Sequence, residues 1–244
     1  RCPICDRVTV PECVPCRRCA DAVRLAEEPV CKRCGKPLDG ERAEFCLDCG
    51  KRRHAYCQGK AVFVYQGNIR QSMYRFKYAN RREYAAYYAR EAAALYQDWV
   101  FKNQIEVIVP VPMYRWKKRR RGYNQAETFA RALGRELGLP VDAGLVRRVR
   151  NTVPQKDNGG QRAANLKNAF QLAADIVKYK KILLVDDILY DGNNDRYRFG
   201  GPAEGRRRAD LLYLRQHRCG ILTGEFRRIE KYGSEKLQEL WTPV

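Results

Sequence analysis

Four C-x-x-C pairs lie near the start of the chain: Cys2/Cys5, Cys16/Cys19, Cys31/Cys34 and Cys46/Cys49. Two intervening residues let a tight turn aim both sulfurs at one ion, and two such pairs complete a tetrahedral thiolate site. In CKRCG and CLDCG a glycine, Gly35 or Gly50, follows the second cysteine directly. Glycine permits the positive-φ turn that such a knuckle needs. The spacing predicts zinc (Zn²⁺) at Cys31, Cys34, Cys46 and Cys49, and a second site at Cys2, Cys5, Cys16 and Cys19. Cys13, Cys57 and His54 are spare candidates, with His54 reading as an ordinary surface residue between Arg53 and Ala55. A closed four-thiolate site offers no open position to a substrate, so its zinc is structural and replaces a hydrophobic core. Arg17, Arg18, Lys32, Arg33, Lys51, Arg52 and Arg53 leave a nucleic-acid-binding ribbon open as the functional alternative.

Two further groups could do chemistry. The run KKILLVDD is a nearly all-apolar strand ending in Asp186 and Asp187. Paired acids at a strand end can accept hydrogen bonds from vicinal ribose hydroxyls or hold Mg²⁺ through its waters. They could equally be loop and helix-capping acids. The run WKKRRR, starting at Trp116, offers a base-stacking ring beside Lys117, Lys118, Arg119 and Arg120, whose charges suit the phosphates of single-stranded nucleic acid. A pyrophosphate-facing or merely solvated loop is the competing reading of the same run.

These residues need elements to position them. AVFVYQ (61–66) reads as a strand, and the following Tyr-, Phe-, Leu- and Ala-rich stretch to 99 has helical spacing. Its aromatic stripe is expected in the core rather than as a ligand platform. IEVIVPVP is a buried strand, AETFARALGRELGLP an amphipathic helix stopped by Gly138 and Pro140, and NAFQL a short strand after a basic, loop-rich stretch. Strands alternating with helices predict an α/β domain with a mostly parallel sheet and helices on both faces. Ligands then sit at the carboxyl ends of the strands, where Asp186 and Asp187 lie. The expected organisation is a Cys-rich zinc module over 1–57, the α/β domain over 58–188, and a tail over 189–244.

Composition agrees with this plan. The 244 residues are 45% hydrophobic and 11% aromatic, which suits a globular domain with a small satellite. Ten of the 11 cysteines fall by Cys57, in front of an almost cysteine-free domain. That pattern suits metal binding in a reducing, cytoplasmic compartment better than a disulfide scaffold. No apolar run is long enough to span a bilayer, so no membrane insertion is expected. The formal charge of +20 points to phosphate-bearing partners, either nucleic acid or a phosphorylated metabolite.

ILLVDDI resembles the core of the phosphoribosyl-pyrophosphate (PRPP) motif of type I phosphoribosyltransferases. VPVPMYRWKKRRRGYNQAE resembles the V-P-V-P…R-G-[FY]-N-Q signature of the ComF family of competence proteins. TVPQKDNGGQRAANLKNAF resembles that family's next block, and the C-x-x-C pairs and FKY (76–78) also fit. Five blocks in the right order cover residues 1–188. The resemblance implies a type I phosphoribosyltransferase-like sheet behind a zinc ribbon, PRPP or a related ligand with Mg²⁺, and a link to DNA uptake through the competence machinery and single-stranded DNA. Asp186 and Asp187 would hold the ribose hydroxyls. Arg121, Gly122, Asn124 and Gln125 would lie on the pyrophosphate side, with Arg162 and Asn165 as further signature positions. Lys77 and Gln155 match family positions to which the resemblance gives no role.

The resemblance stops at Ile188. The family would continue with a Thr/Gly-rich loop whose backbone N–H groups cradle a 5′-phosphate at a helix N-terminus. This chain reads ILYDGNNDRYRFGGPAEG instead. One deleted T after an ATC codon for Ile188 turns a permitted coding sequence into Ile-Tyr-Thr-Thr-Gly-Thr-Thr. Continued in that frame, it gives an amphipathic helix, a Gly-rich turn, a closing apolar strand and a stop. Residues 189–222 are therefore expected to be a frame-shifted, poorly packing translation of the family's C-terminus, with 223–244 as read-through. The phosphate loop would be missing from this chain, leaving it inactive as a transferase.

Overall fold

The computed structural model describes residues 1–10, 14–38, 40, 42–51, 56–149, 170–172, 179–186 and 213–218. Cys13, His54, Gln155, Arg162, Asn165 and Asp187 lie outside the described residues, as does the tail apart from Tyr213–Arg218.

The N-terminal segment is built on two cysteine knuckles with short helices α1 (Arg17–Ala20) and α2 (Leu47–Lys51). β1 (Gln58–Ala61) follows, shorter and earlier than the apolar run 61–66 suggested. Phe63, within that run, makes only an isolated antiparallel bridge to Leu25. The long helical stretch is two helices, α3 (Gly67–Tyr78) and α4 (Tyr84–Lys102). They part near Asn80, whose φ of 55° lies in the left-handed region that ends a helix.

β2 (Val107–Pro110) leads through Val111–Tyr114 into α5 (Arg115–Arg121) and then α6 (Gln125–Leu137). The caps explain the boundaries. Gly122 closes α5 at φ 83°, and the Asn124 side chain accepts a hydrogen bond from Ala126 N–H to start α6. Gly138 stops α6 at φ 66°, as its place after the amphipathic run predicted. A hairpin pairs β3 (Val146–Arg148) with β4 (Phe170–Leu172), and the chain continues through β5 (Lys181–Asp186) to β6 (Tyr213–Arg218).

The main sheet runs β1-β6-β5-β2. β2 and β5 are parallel, with Val107 beside Ile182 and Pro110 beside Val185. β6 is antiparallel to both β5 and β1, so among the described residues the sheet is mixed rather than mostly parallel. Alternation in β2 and β5 sends side chains to two faces. Ile108, Leu183 and Val185 join the core built by α3, α4 and α6. Val107, Val109 and Ile182 pack with Leu145, Val146 and Phe170. Among the described residues the second face is thus covered by paired β3 and β4 where a helix was expected.

Within the tail, Tyr213–Arg218 pairs along the whole of β5. The physical reason is backbone. An uncovered strand edge offers a row of N–H and C=O groups that any extended segment can satisfy, whatever its side chains. Among the described residues, no helix is long and apolar enough to cross a membrane.

Candidate zinc sites and basic cleft

The four sulfurs of Cys2, Cys5, Cys16 and Cys19 all lie within 4.8 Å of one another, and so do those of Cys31, Cys34, Cys46 and Cys49. Cys5 and Cys16 are 3.8 Å apart at sulfur, and Cys34 and Cys46 are 3.7 Å apart. A tetrahedron with metal–sulfur bonds of about 2.3 Å has edges of about 3.8 Å, so both sets fit one zinc ion each. Cys16 N–H donates to the Cys2 sulfur at 3.4 Å, an outer contact of the kind that orients thiolate ligands. In the second set, contacts with Cys31, Cys46 and Cys49 and then burial push the Cys34 thiol up. A dication removes that opposition by balancing several thiolates at once. Cys57 is exposed and belongs to neither set.

The two knuckles are anchored differently. Cys2, Ile4 and Cys19 belong to the main core with α3 and α4. Ser72 donates to the Pro3 carbonyl and Arg75 to the Ile4 carbonyl at 3.0 Å. Asp6 pairs with Arg81 at 2.8 Å and accepts from Tyr84 at 2.6 Å. The second knuckle has its own small cluster of Cys31, Cys34, Cys49 and Tyr56. It meets β1 through backbone, with Gly59 N–H donating to the Arg33 carbonyl at 2.7 Å. Gly35 makes this approach possible, because a Cβ there would stand 2.8 Å from Ala61 N.

The carboxyl ends of the parallel strands come together where Pro110 pairs with Val185, next to Asp186. α5 leaves this edge with two unlike faces. Lys117 and Arg121 are half-buried, while Arg115, Trp116, Arg119 and Arg120 are exposed. Burial, then the charges of Arg148, Arg121 and Arg120, hold the Lys117 ammonium below its usual range. Burial also lowers Arg148, and the Asp186 carboxylate works in the opposite sense. Lys117, Arg120, Arg121 and Arg148 therefore form one cationic group, with the strand-end acid Asp186 acting on Arg148. Such a partly desolvated cationic group suits a phosphorylated ligand.

Arg148 was not singled out by sequence, because it stands in a basic stretch with no spacing to mark it. The signature residues, by contrast, are largely occupied by the fold. Asn124 Nδ2 donates to the Val111 carbonyl at 3.0 Å while its Oδ1 caps α6. Gln125 is fully buried and donates to the Lys77 carbonyl at 3.2 Å. Arg121 reaches Gln125 Oε1 at 3.4 Å and the Tyr78 hydroxyl at 3.1 Å. Gly122 supplies the left-handed turn, and its carbonyl accepts from Arg82 at 3.2 Å. Lys118 pairs with Glu127 at 3.0 Å, which leaves the outer face of α5 to Trp116, 54% exposed, with Arg119 and Arg115 at 5.0 and 5.6 Å from its ring centre.

Comparison with known proteins bears on both regions. Residues 1–50 match the double zinc ribbon domain family, which agrees with two structural zinc sites. The chain is 41% identical over 91 residues to competence protein F of Haemophilus influenzae, covering 36% of this chain and 40% of that protein. It is 31% identical over 128 residues to the DNA utilization protein YhgH of Salmonella typhi, covering 50% of this chain and 55% of that one. For YhgH of Escherichia coli K12 the identity is 36% over 87 residues, covering 35% and 38%. The chain thus spans between 38% and 55% of the length of these relatives. No solved structure matches it.

Proposed function

We propose, from this chain's membership of the ComF family of competence proteins, that it serves DNA uptake by binding a phosphoribosyl ligand, PRPP or a close relative, at the basic cleft. The observation that carries this reading is Asp186 at the end of β5, acting on Arg148, which in turn acts with Arg121 and Arg120 on Lys117. The carboxylate would accept ribose hydroxyls and, with Asp187, hold Mg²⁺ through its waters. The cations would take the pyrophosphate, with the Asp186 carboxylate favouring the charged form of Arg148. Zinc stays structural and takes no part in the ligand site. The 5′-phosphate cradle is what the restored reading frame would add after Ile188.

Calorimetric titration of PRPP with Mg²⁺ into the chain as written and into the frame-restored chain tests this. The restored chain should bind, and Asp186→Asn or Arg148→Gln should weaken binding about tenfold or more. The chain as written should bind poorly. A restored chain that ignores PRPP, or whose binding is indifferent to both substitutions, refutes the reading. Resequencing the gene across the Ile188 codon tests the extra base separately.

A second reading is single-stranded DNA handling without catalysis. The exposed Trp116, flanked by Arg115 and Arg119, favours it, since a ring stands between cations on that face. It predicts affinity that falls steeply with salt and drops when Lys117, Lys118, Arg119 and Arg120 are neutralised.

A further inference from the structure

α3 carries a feature outside both ligand readings. Its inner face buries Ile69, Ser72, Met73, Phe76 and Lys77. Its outer face presents Arg70, Tyr74 and Tyr78, spaced four residues apart and therefore aligned along one side of the helix. Tyr74 is 64% exposed and Tyr78 57%. Their rings touch at 5.0 Å between centres, tilted by 45°. Arg121 then stands 4.8 Å from the Tyr78 ring centre. The stripe from Arg70 to Tyr78 is about 12 Å long, at about 1.5 Å of rise per residue. Paired tyrosines left in solvent on a chain with +20 charge call for a physical explanation, because soluble surfaces rarely leave touching aromatic rings uncovered.

We infer that Arg70, Tyr74, Tyr78 and Arg121 form a stacking platform for single-stranded nucleic acid. Charge chooses the occupant. Cations stand at both ends of the ring pair, and no acid belongs to the stripe, so phosphates are attracted along its whole length. The rings choose within the polyanions. Exposed tyrosine faces stack on unpaired bases, which a duplex hides inside its own stack. Arg121 also borders Lys117, so the platform runs toward the basic cleft, and a strand laid on it would bring its phosphates there. This inference takes its ligand class from the DNA-handling reading above; the location on α3 is independent of Trp116.

Fluorescence anisotropy with a labelled thymidine oligomer, an abasic strand of the same length and a duplex of the same sequence tests the platform. The double substitution Tyr74→Ala with Tyr78→Ala should weaken oligomer binding by about tenfold or more, in line with loss of base stacking. Binding of the abasic strand should change by less than about twofold, because its contacts are ionic. Tyr74→Phe with Tyr78→Phe should retain oligomer affinity, since the rings remain. PRPP titration of the frame-restored chain should be unmoved by Tyr74→Ala alone, which leaves the Tyr78 contact with Arg121 in place. The platform is overturned if the alanine pair leaves oligomer affinity intact, if abasic and thymidine strands lose equally, or if duplex binds as well as single strand. Loss of binding to anionic vesicles with unchanged oligomer affinity overturns it as well and assigns the rings to a membrane surface. If Trp116→Ala weakens the oligomer and the tyrosine pair does not, the platform falls while the DNA-handling reading stands. If the unsubstituted chain binds none of the three nucleic acids, both fall together.

Discussion

The two zinc sites should differ sharply in what their loss does. Cys19→Ser removes a ligand from the first knuckle, which is part of the main core. Releasing that knuckle exposes Ile4, frees the carbonyls held by Ser72 and Arg75, and breaks the Asp6 contacts with Arg81 and Tyr84. Burial of one such side chain, three hydrogen bonds and one charge-assisted pair come to roughly 5–10 kcal/mol. That approaches the whole stability of a domain, about 5–15 kcal/mol. Cys34→Ser removes a ligand from the second knuckle, whose cluster with Tyr56 stands apart from that core. That knuckle meets β1 through the Gly59–Arg33 backbone bond and the Gln58 amide on the Lys32 carbonyl, so the loss should stay local. The assay is hydrogen exchange over 67–102, together with thermal unfolding and zinc content. Cys19→Ser should speed exchange throughout α3 and α4 and depress Tm strongly, at about 2–4 °C per kcal/mol. Cys34→Ser should lose its zinc and protection over 31–51 while α3 and α4 stay protected. Equal damage from both substitutions, or protected helices in Cys19→Ser, would refute the reasoning.

Two other perturbations follow from the cleft. Asn124→Ala removes the α6 cap and the bond to Val111, and should cost about 1–2 kcal/mol in urea unfolding. An unchanged midpoint would mean that the signature asparagine is not holding this turn. Lys117 is lowered by burial and by Arg148, Arg121 and Arg120, so a bound anion should offset those charges and raise it again. Ligand binding in the alkaline range should therefore take up protons, seen as a dependence of binding enthalpy on buffer ionisation heat. A binding enthalpy independent of buffer would place the anion away from Lys117.

What the sequence makes legible is what depends on short spacing. The C-x-x-C pairs, the glycine behind Cys34, the Gly138 stop and the strand ending at Asp186 are set by bonds and turns a few residues long. What it hides depends on distant partners. An apolar run does not state its direction, so β5 read correctly as a strand while β6 arrived antiparallel. The Tyr and Phe residues of α3 look alike in sequence, yet Phe76 is buried and Tyr74 and Tyr78 are not, because only one side of the helix meets α4 and the first knuckle. Likewise Asn124 and Gln125 looked ligand-facing, and only the backbone positions of Val111 and Lys77 show how their amides are occupied.

The first knuckle and the cleft are joined by a short series of contacts. Asp6, next to Cys5, holds Arg81 at the turn between α3 and α4. The adjacent Arg82 donates to the Gly122 carbonyl and lies 4.7 Å from the centre of the Tyr123 ring. Tyr123 in turn packs edge-on against Phe76 of α3. The turn carrying Arg121 to Gln125 is therefore braced from the side of the zinc knuckle. An appended nucleic-acid ribbon would need only a linker to the domain, and the second knuckle comes closest to that. The first is instead tied through Asp6, Arg81 and Arg82 to the turn that carries Arg121. Loss of zinc from the first knuckle should therefore loosen the Arg121–Gln125 turn more than loss from the second, read as faster hydrogen exchange over 121–125 in Cys19→Ser than in Cys34→Ser.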